Sequence, residues 1–388
     1  MNTSICRAIA CVMVVCGLGS NSHTWAVNIS IDYTYAGSDF FNPATQDGQN
    51  ARAAVEAAAG FLSGILGDSY ARIETPEDYI STAPGGSPVS YSWTWSKSFT
   101  NPSTGSTITI VEPIIPEDQH IVYVGARNIP GSTLGLGGVG GSSVSAGGSY
   151  YFQSQLDDIN AITDEFFGAI DNRGQGDGDF GAWGGAVTFD TSSTWNFDHT
   201  TAPSSGENDL YSVALHELMH TLGFGSQSPT STTVWESLLS GSNFTGAASS
   251  AEWGSAIPLD PSLAHWPEDS TSVVYNDFVQ QETLMDPDIT TGTRKALTTL
   301  DAAALTDLGW QVAAETKLPG DYNFDGSVDA ADYTIWRDNL GGPTPTGNYA
   351  VWVANFGATA PSATSSVPEP HTVCLAILAL GAFVRRRC

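Results

Sequence analysis

The chain has 388 residues, enough for one large domain and a small accessory one. Acidic residues outnumber Lys and Arg by 41 to 13, which excludes a nucleic-acid partner because phosphate binding needs clustered cations. The acidic excess is compatible with calcium binding, a salty habitat or plain solubility. All five cysteines lie near the two ends, so the body holds neither a disulfide framework nor a thiolate zinc site.

Residues 1–26 have the pattern of a secretory signal peptide. Arg7 supplies the positive charge, Ala8 to Leu18 supply the apolar stretch, and Thr24-Trp25-Ala26 places small residues at the cleavage site. The alternative is a buried N-terminal strand or helix. The pattern predicts export and processing by a signal peptidase.

Residues 27–314 are predicted to form one α/β (α+β) domain, a sheet with packed helices, because strand and helix patterns intermix. Alternating or short apolar runs predict strands at 29–35, 121–125, 185–190 and 195–198. Helical spacing predicts helices at 50–66 and 152–170, and the Gly/Ser-rich residues 131–149 are predicted to be a loop. Gly184–Asp190 is either an edge strand that pairs with an extended substrate or an ordinary sheet strand.

A candidate metal-binding helix begins after Asp209, which is a good N-cap residue. His216 and His220 are one helical turn apart and share a face, so both imidazoles can reach one Zn²⁺. Glu217 lies between them and is placed to act as general base toward a zinc-activated water. Gly223 is suited to the left-handed conformation that ends a helix.

A catalytic zinc needs a third protein ligand and an open position. The helix resembles the HExxHxxGxxH/D motif of the metzincin family, but Ser226 stands at the last position and is a poor zinc ligand. His265 is the preferred third ligand. Glu236, as in a thermolysin-like ligand set, and His199 are weaker candidates, and a structural surface role for His265 is the remaining alternative.

The segments that follow resemble the leishmanolysin branch of the metzincins, in which an insertion precedes the third His and a Leu-Met turn comes after it. The resemblance implies that His265 binds zinc, that Met285 forms the Met-turn beneath the metal, and that residues 227–264 are the insertion. It implies a twisted mixed sheet with an active-site helix. The domain is expected to close with a helix over 297–310 that has a Thr cap and a terminal Gly.

These residues predict an exported zinc endopeptidase of the metzincin type that cleaves protein or peptide substrates, with Glu217 as general base. Residues just after the Met-turn, such as Asp288–Arg294, are expected to contribute to the specificity pocket. The alternatives are a non-catalytic surface or matrix protein that retains the zinc fold, and a thermolysin-like ligand set on another fold.

A calcium loop is predicted at residues 321–332. Oxygen ligands occupy positions 1, 3, 5, 9 and 12 of the twelve-residue calcium-binding loop pattern, and a turn glycine occupies position 6. A solvated acidic turn is the alternative. The predicted Ca²⁺ ligands are Asp321, Asn323, Asp325, Ser327 through its carbonyl, Asp329 and Asp332.

A short repeat follows the calcium loop, since Asp332–Gly341 resembles Asn348–Gly357. With the loop, the repeat resembles a dockerin, so residues 315–360 are predicted to be a small EF-hand-like helical module. The second calcium loop is missing, because Gly342–Gly347 holds no carboxylate, and a cohesin partner is therefore doubtful.

Residues 361–388 comprise a linker and a sorting signal. Val367-Pro368-Glu369-Pro370 precedes the apolar run Val373–Val384, and Arg385-Arg386-Arg387 follows it. The order resembles the PEP-CTERM signal of Gram-negative bacteria, which implies processing by an exosortase and delivery to the cell surface or exterior. An ordinary membrane anchor is the alternative.

Overall fold

The computed structural model describes residues 27–37, 39–176, 178–229, 231–277, 279–314, 319–322, 327–338 and 349–359. The predicted signal peptide and sorting signal lie outside the described residues, as do Gly342–Gly347. The chain divides into two compact units: Met1–Ser272 with Gln281–Ala313, and Val273–Gln280 with Ala314–Cys388. Among the described residues, no helix is both long and apolar enough to cross a membrane.

A four-stranded mixed sheet forms the centre of the first unit, in the order β1-β5-β8-β6. The first three strands are parallel, and β6 is antiparallel to β8. This sheet and the helices on it confirm the predicted mixed α/β class. The strands are β1 (Asn28–Asp32), β5 (Gln119–Arg127), β6 (Gly135–Val139) and β8 (Gly184–Asp190).

Two helices pack together against one face of this sheet, α1 (Gln46–Ile65) and α3 (Leu210–Thr221). Thr45 caps α1 by accepting a hydrogen bond from the Gly48 N–H, so the helix begins one turn before its predicted start. The buried face of α1 has helical spacing and includes Ala51, Val55, Ala58, Ala59 and Leu62.

A second sheet covers the other face of the first unit's core. It consists of β2 (Tyr79–Thr82), β3 (Pro88–Thr100), β4 (Thr107–Val111) and β7 (Gly141–Gly148), with β3 pairing to the other three. Helix α2 (Gln153–Asp171) contributes buried apolar residues to the aromatic core beside this sheet. That core includes Trp93, Trp95, Phe99, Tyr123 and Trp183.

The predicted loop at 131–149 is wrong, because these residues form β6 and β7. Glycine has low strand propensity, yet here it is required by close packing. A Cβ added at Gly137 would lie 2.2 Å from the Glu217 carbonyl oxygen, and one at Gly140 would lie 1.9 Å from the Trp183 ring. Gly184–Asp190 is an internal strand between β5 and β6, so the end strand on this side of the sheet is β6.

The remaining elements are short. The predicted strand at 195–198 is confirmed as β9, and the helices predicted at 152–170 and 297–310 are confirmed as α2 and α6. Strand 29–35 ends early at Asp32, because residues 33–36 form a turn. The other bounds are β9 (Trp195–Asn196), β10 (Asn208–Asp209), α4 (Val234–Ser237), β11 (Leu239–Ser240), β12 (Asn243–Phe244), α5 (Ala247–Trp253), β13 (Ile257–Pro258), β14 (Thr271–Val273), β15 (Gln280–Glu282), α6 (Thr299–Asp307), α7 (Ala330–Asp338) and α8 (Tyr349–Asn355).

Candidate metal centre

Helix α3 is fixed at both ends by its own sequence. Asp209 is the N-cap, and its carboxylate accepts from the Ser212 N–H at 3.1 Å and from two nitrogens of Arg294 at 2.7 and 2.9 Å. At the other end Gly223 has φ +101°, and a Cβ there would lie 2.5 Å from the Phe180 ring. The predicted N-cap and the left-handed glycine are both confirmed, and they set the axial position of the histidines.

Three histidine side chains converge on one point of the first unit. His220 Nε2 lies 3.2 Å from His216 Nε2 and 3.2 Å from His265 Nε2. Zn–N bonds of about 2.0–2.1 Å in tetrahedral geometry place ligand nitrogens about 3.3–3.4 Å apart. The two distances from His220 Nε2 are therefore close to the spacing of zinc ligands, and all three nitrogens lie within 4.8 Å of one another.

The opposite nitrogen of two of these rings is held by backbone carbonyls. His216 Nδ1 lies 2.8 Å from Leu284 O, and His220 Nδ1 lies 2.9 Å from Phe224 O. A carbonyl only accepts, so each Nδ1 carries the proton and each Nε2 presents a lone pair. Neutral rings that place lone pairs this close repel one another, and a cation between them removes the repulsion.

Loop contacts orient the third ring, His265. Its backbone N–H donates to Asp260 Oδ1 at 3.1 Å, and its Nδ1 lies 3.4 Å from Ser262 Oγ and 3.8 Å from Asp260 Oδ2. Asp260 thus holds both the backbone and the ring of His265. No sequence motif pointed to Asp260, because its role depends on a loop of six residues, Asp260 to His265, that closes on itself.

Burial keeps the three rings in the neutral form that binds metals. It lowers the pKa of His220 to about 4, and it lowers the pKa of His216 well below its usual value, with the neighbouring His220 adding to the effect. Burial also lowers the pKa of His265, although Asp260 opposes that change. The cluster is therefore ready to bind a divalent cation at neutral pH.

Glu217 lies beside the three histidines, between α3 and strand β6. A Cβ added at Gly135 would lie 2.5 Å from Glu217 Oε1, so the strand reaches the carboxylate only because this residue is glycine. Burial raises the pKa of Glu217 to about 8, and a hydrogen bond from the Gly137 backbone opposes the rise. Once ionised, a carboxylate in this environment is a stronger proton acceptor than an exposed glutamate.

Replacing Gly137 by Ala is expected to lower the free energy of unfolding by about 1–3 kcal/mol, because the new methyl group meets the backbone of Glu217. Gly138→Ala is the matched control for stability, since a Cβ there meets nothing within 4 Å. Urea titrations of the two variants measure the difference. Equal stability of the two variants would contradict the close packing of β6 on α3.

A buried carboxylate, Asp301, holds the segments beneath the histidines together. It accepts from Trp266 Nε1 at 2.9 Å, from the backbone N–H of Leu284 at 2.9 Å and from that of Met285 at 3.2 Å. The Thr298 N–H and hydroxyl donate to its Oδ2, the oxygen that also accepts from Leu284. Met285 is fully buried, and its carbonyl accepts from the Trp266 N–H at 3.0 Å. Asp301 thereby fixes Trp266, next to His265, and Leu284, whose carbonyl contacts His216.

Asp301→Asn is expected to weaken zinc binding about 10- to 100-fold, the usual effect of a residue that supports metal ligands. The amide presents an N–H₂ group to donors that need an acceptor, so stability also falls. Asp307→Asn on the same helix is the control, because Asp307 caps α5 through Ala248 and Ser249. Asp307→Asn should lose stability but keep its zinc affinity. Zinc titration against a chromophoric chelator measures that affinity in both variants.

An open cleft of about 810 Å³ contains the histidines and Glu217. Its walls include β6 on one side and Asp286–Ile289 on the other. Of the predicted specificity segment, Asp288 and Ile289 line this cleft, whereas Arg294 is bound to Asp209 instead.

Near the same wall, the Lys295 ammonium contacts two carboxylates and one backbone carbonyl. Its Nζ is 2.9 Å from Glu282 Oε2, 3.4 Å from Asp286 Oδ1 and 2.7 Å from the Asp288 carbonyl oxygen. Burial raises the pKa of Asp286 to about 6, and the ammonium opposes that rise. The ammonium thus offsets the negative charge of Glu282 and Asp286.

The weaker third-ligand candidates lie away from the cluster. Glu236 caps its own short helix by accepting from the Thr233 N–H, and the His199 ring stacks on Tyr211. His120 is buried beside Thr221. Ser226 continues the turn that follows α3, with its N–H donating to Gly223 O.

Part of the predicted calcium loop is described in the second unit. The buried carboxylate of Asp332 accepts from the N–H groups of Tyr322 and Asp329, both at 2.7 Å. Asp321 is also buried, and Ser327 forms an isolated bridge with Thr359. Two predicted ligands, Asn323 and Asp325, lie outside the described residues.

No family model, curated protein or solved structure matches the chain.

Proposed function

We propose that this protein is a zinc-dependent endopeptidase whose zinc ligands are His216, His220 and His265. The observation that carries the proposal is the convergence of the three Nε2 atoms, 3.2 Å apart in two of the pairs, beside Glu217 in an open cleft. A purely structural metal site does not require a carboxylate at that place. The acidic cleft wall and the free end strand supply room for an extended peptide.

Zinc bound by these residues would polarise the substrate carbonyl and make water a nucleophile near neutral pH. Residues of the chain bind the peptide and transfer the proton. A peptide lies along β6 as an additional strand, with backbone hydrogen bonds that fix its register. Glu217 accepts a proton from the attacking water and returns it to the leaving amine.

The test is cleavage of casein and of a peptide library by the mature protein, with and without a chelator. Chelator-sensitive cleavage that zinc restores is the expected result. A folded, zinc-loaded protein that cleaves nothing under any condition would refute the enzyme and favour a non-catalytic binding role.

We further propose a metzincin-like domain of the leishmanolysin type. The mixed sheet with α3 on one face, and a buried Met285 next to the His265 segment, support this assignment. The signal-like ends support export from a Gram-negative bacterium through a signal peptidase and an exosortase. The expected location is the cell surface or the exterior. We propose no cohesin partner, because the residues where a second calcium loop would lie, Gly342–Gly347, hold no carboxylate.

We propose one Ca²⁺ in the loop of Asp321–Asp332. Calcium is expected to raise the thermal midpoint of the full-length protein's second unit, because binding to the folded loop stabilises it. Asp325→Ala should remove the shift, and magnesium at the same concentration is the control. A calcium shift that persists in Asp325→Ala would contradict this ligand set.

A further inference from the structure

Among the described residues of the first unit, one cationic side chain lacks a partner. The guanidinium of Arg127, at the end of β5, makes no hydrogen bond or ion pair with the described residues, and its Nε is buried. The other described cations of this unit are engaged. Arg72 pairs with Glu74, Arg294 with Asp209 and Lys295 with Glu282. The remaining contacts are those of Arg52 with a carbonyl and a Tyr ring, Lys97 with aromatic rings, and Arg173 with three carbonyls.

Arg127 lines a small cavity of about 170 Å³ on the face of the central sheet opposite α3. Side chains alternate along a strand, and Gly135 and Gly137 face Glu217, so Leu136 and Gly138 face this cavity. Gly138 leaves it open, because a Cβ there meets nothing within 4 Å. Two hydroxyl-bearing residues, Thr100 and Thr188, also line it.

The cavity adjoins the candidate active-site cleft across a single strand. Leu136 and Gly137 line both spaces, and β6 is the end strand of its sheet. A peptide held along β6 presents every second side chain to the Leu136 face. We propose that the Arg127 cavity is a subsite for a carboxylate side chain, Asp or Glu, of the peptide substrate. This subsite rests on the proposed peptidase function.

The chemistry favours a carboxylate over other groups. A guanidinium binds a carboxylate through two parallel charge-assisted hydrogen bonds, and a partly buried pair is screened little by salt. The whole chain has a net charge of −28, so its long-range field disfavours acidic peptides. A preference for a carboxylate at one substrate position would therefore be caused by a nearby cation and not by the long-range field of the protein.

The experiment uses the full-length wild-type protein and matched peptides. A cleaved peptide is resynthesised with a single Glu, or a single Gln, scanned through the positions that flank the scissile bond. Glu is expected to raise kcat/KM roughly tenfold or more over Gln at one position, or at positions two apart, and not at those between. Equal kcat/KM for Glu and Gln at every position would overturn the subsite.

Variants assign the preference to Arg127. In Arg127→Met the Glu-to-Gln ratio is expected to fall to about one, and Arg127→Lys should retain part of it. Arg72→Met, an exposed arginine with its own partner, is the matched control and should keep the wild-type ratio. A full ratio in Arg127→Met would overturn the proposal. The affinity of Glu217→Ala for the Glu and Gln peptides distinguishes failure of the subsite from failure of the peptidase function. Tighter binding of the Glu peptide would support the subsite even without cleavage. Equal binding of the two peptides would refute it.

Discussion

Replacing Glu217 by Gln is expected to lower kcat for peptide cleavage by about 10²- to 10⁴-fold and to leave zinc content unchanged. The amide keeps the shape of the side chain in its packed position against Gly135 but accepts no proton. Steady-state cleavage of one fluorogenic peptide, with metal analysis of the same samples, measures both quantities.

Glu236→Gln is the control for this experiment and also tests the rival ligand. Glu236 caps α4 through the Thr233 N–H and lies outside the histidine cluster, so cleavage and zinc content should be retained. Loss of zinc in Glu236→Gln would favour the thermolysin-like ligand set. Full cleavage by Glu217→Gln would refute the general-base role.

His265→Ala is expected to reduce zinc affinity by more than the 10- to 100-fold that a supporting residue causes, because it removes one of three direct ligands. Cleavage should fall in parallel and recover partly at high zinc concentration. Competition with a chelator of known affinity gives the dissociation constant for zinc.

His199→Ala is the matched control for His265. The His199 ring stacks on Tyr211, with ring centroids 6.3 Å apart, and is not part of the cluster. Full zinc retention in His265→Ala would exclude His265 as a ligand. A zinc loss in His199→Ala equal to that in His265→Ala would show that the assay reports unfolding and not ligand removal.

Helix α3 and its two histidines could be predicted because every determinant is local. Asp209 caps the helix, Gly223 ends it, and the four-residue spacing places His216 and His220 on one face. His265 was found from ligand chemistry and family resemblance, since it lies 45 residues from His220 and no periodicity connects them.

Strand β6 was missed because its residues are mostly glycine, which indicates a loop when read locally. The reason for glycine is a neighbour distant in sequence, the helix that carries Glu217. The supporting role of Asp301 was missed for the same reason, as its partners at Trp266 and Met285 are tertiary contacts.

The sequence of strand β3 has the alternation that predicts a strand. Val89, Trp93, Trp95 and Phe99 are buried with the alternation of a half-buried strand, and Lys97 falls in the same phase. The lysine interrupts the apolar pattern of the sequence, but it is buried in the same phase as Trp95 and Phe99. In the fold its ammonium lies 4.9 Å from the centroid of the Tyr123 ring and 4.6 Å from that of Trp183, which accommodate a cation.

The Asp301 carboxylate also determines when the centre can form. It lies 35 residues after Trp266, and His216 contacts Leu284 across 68 residues. A chain made from its N-terminus therefore completes α3 well before the segments that position His265 and Met285. Contacts of this separation form late in folding, because loop closure comes first. We therefore expect the three-histidine site to form only in molecules whose first unit has folded.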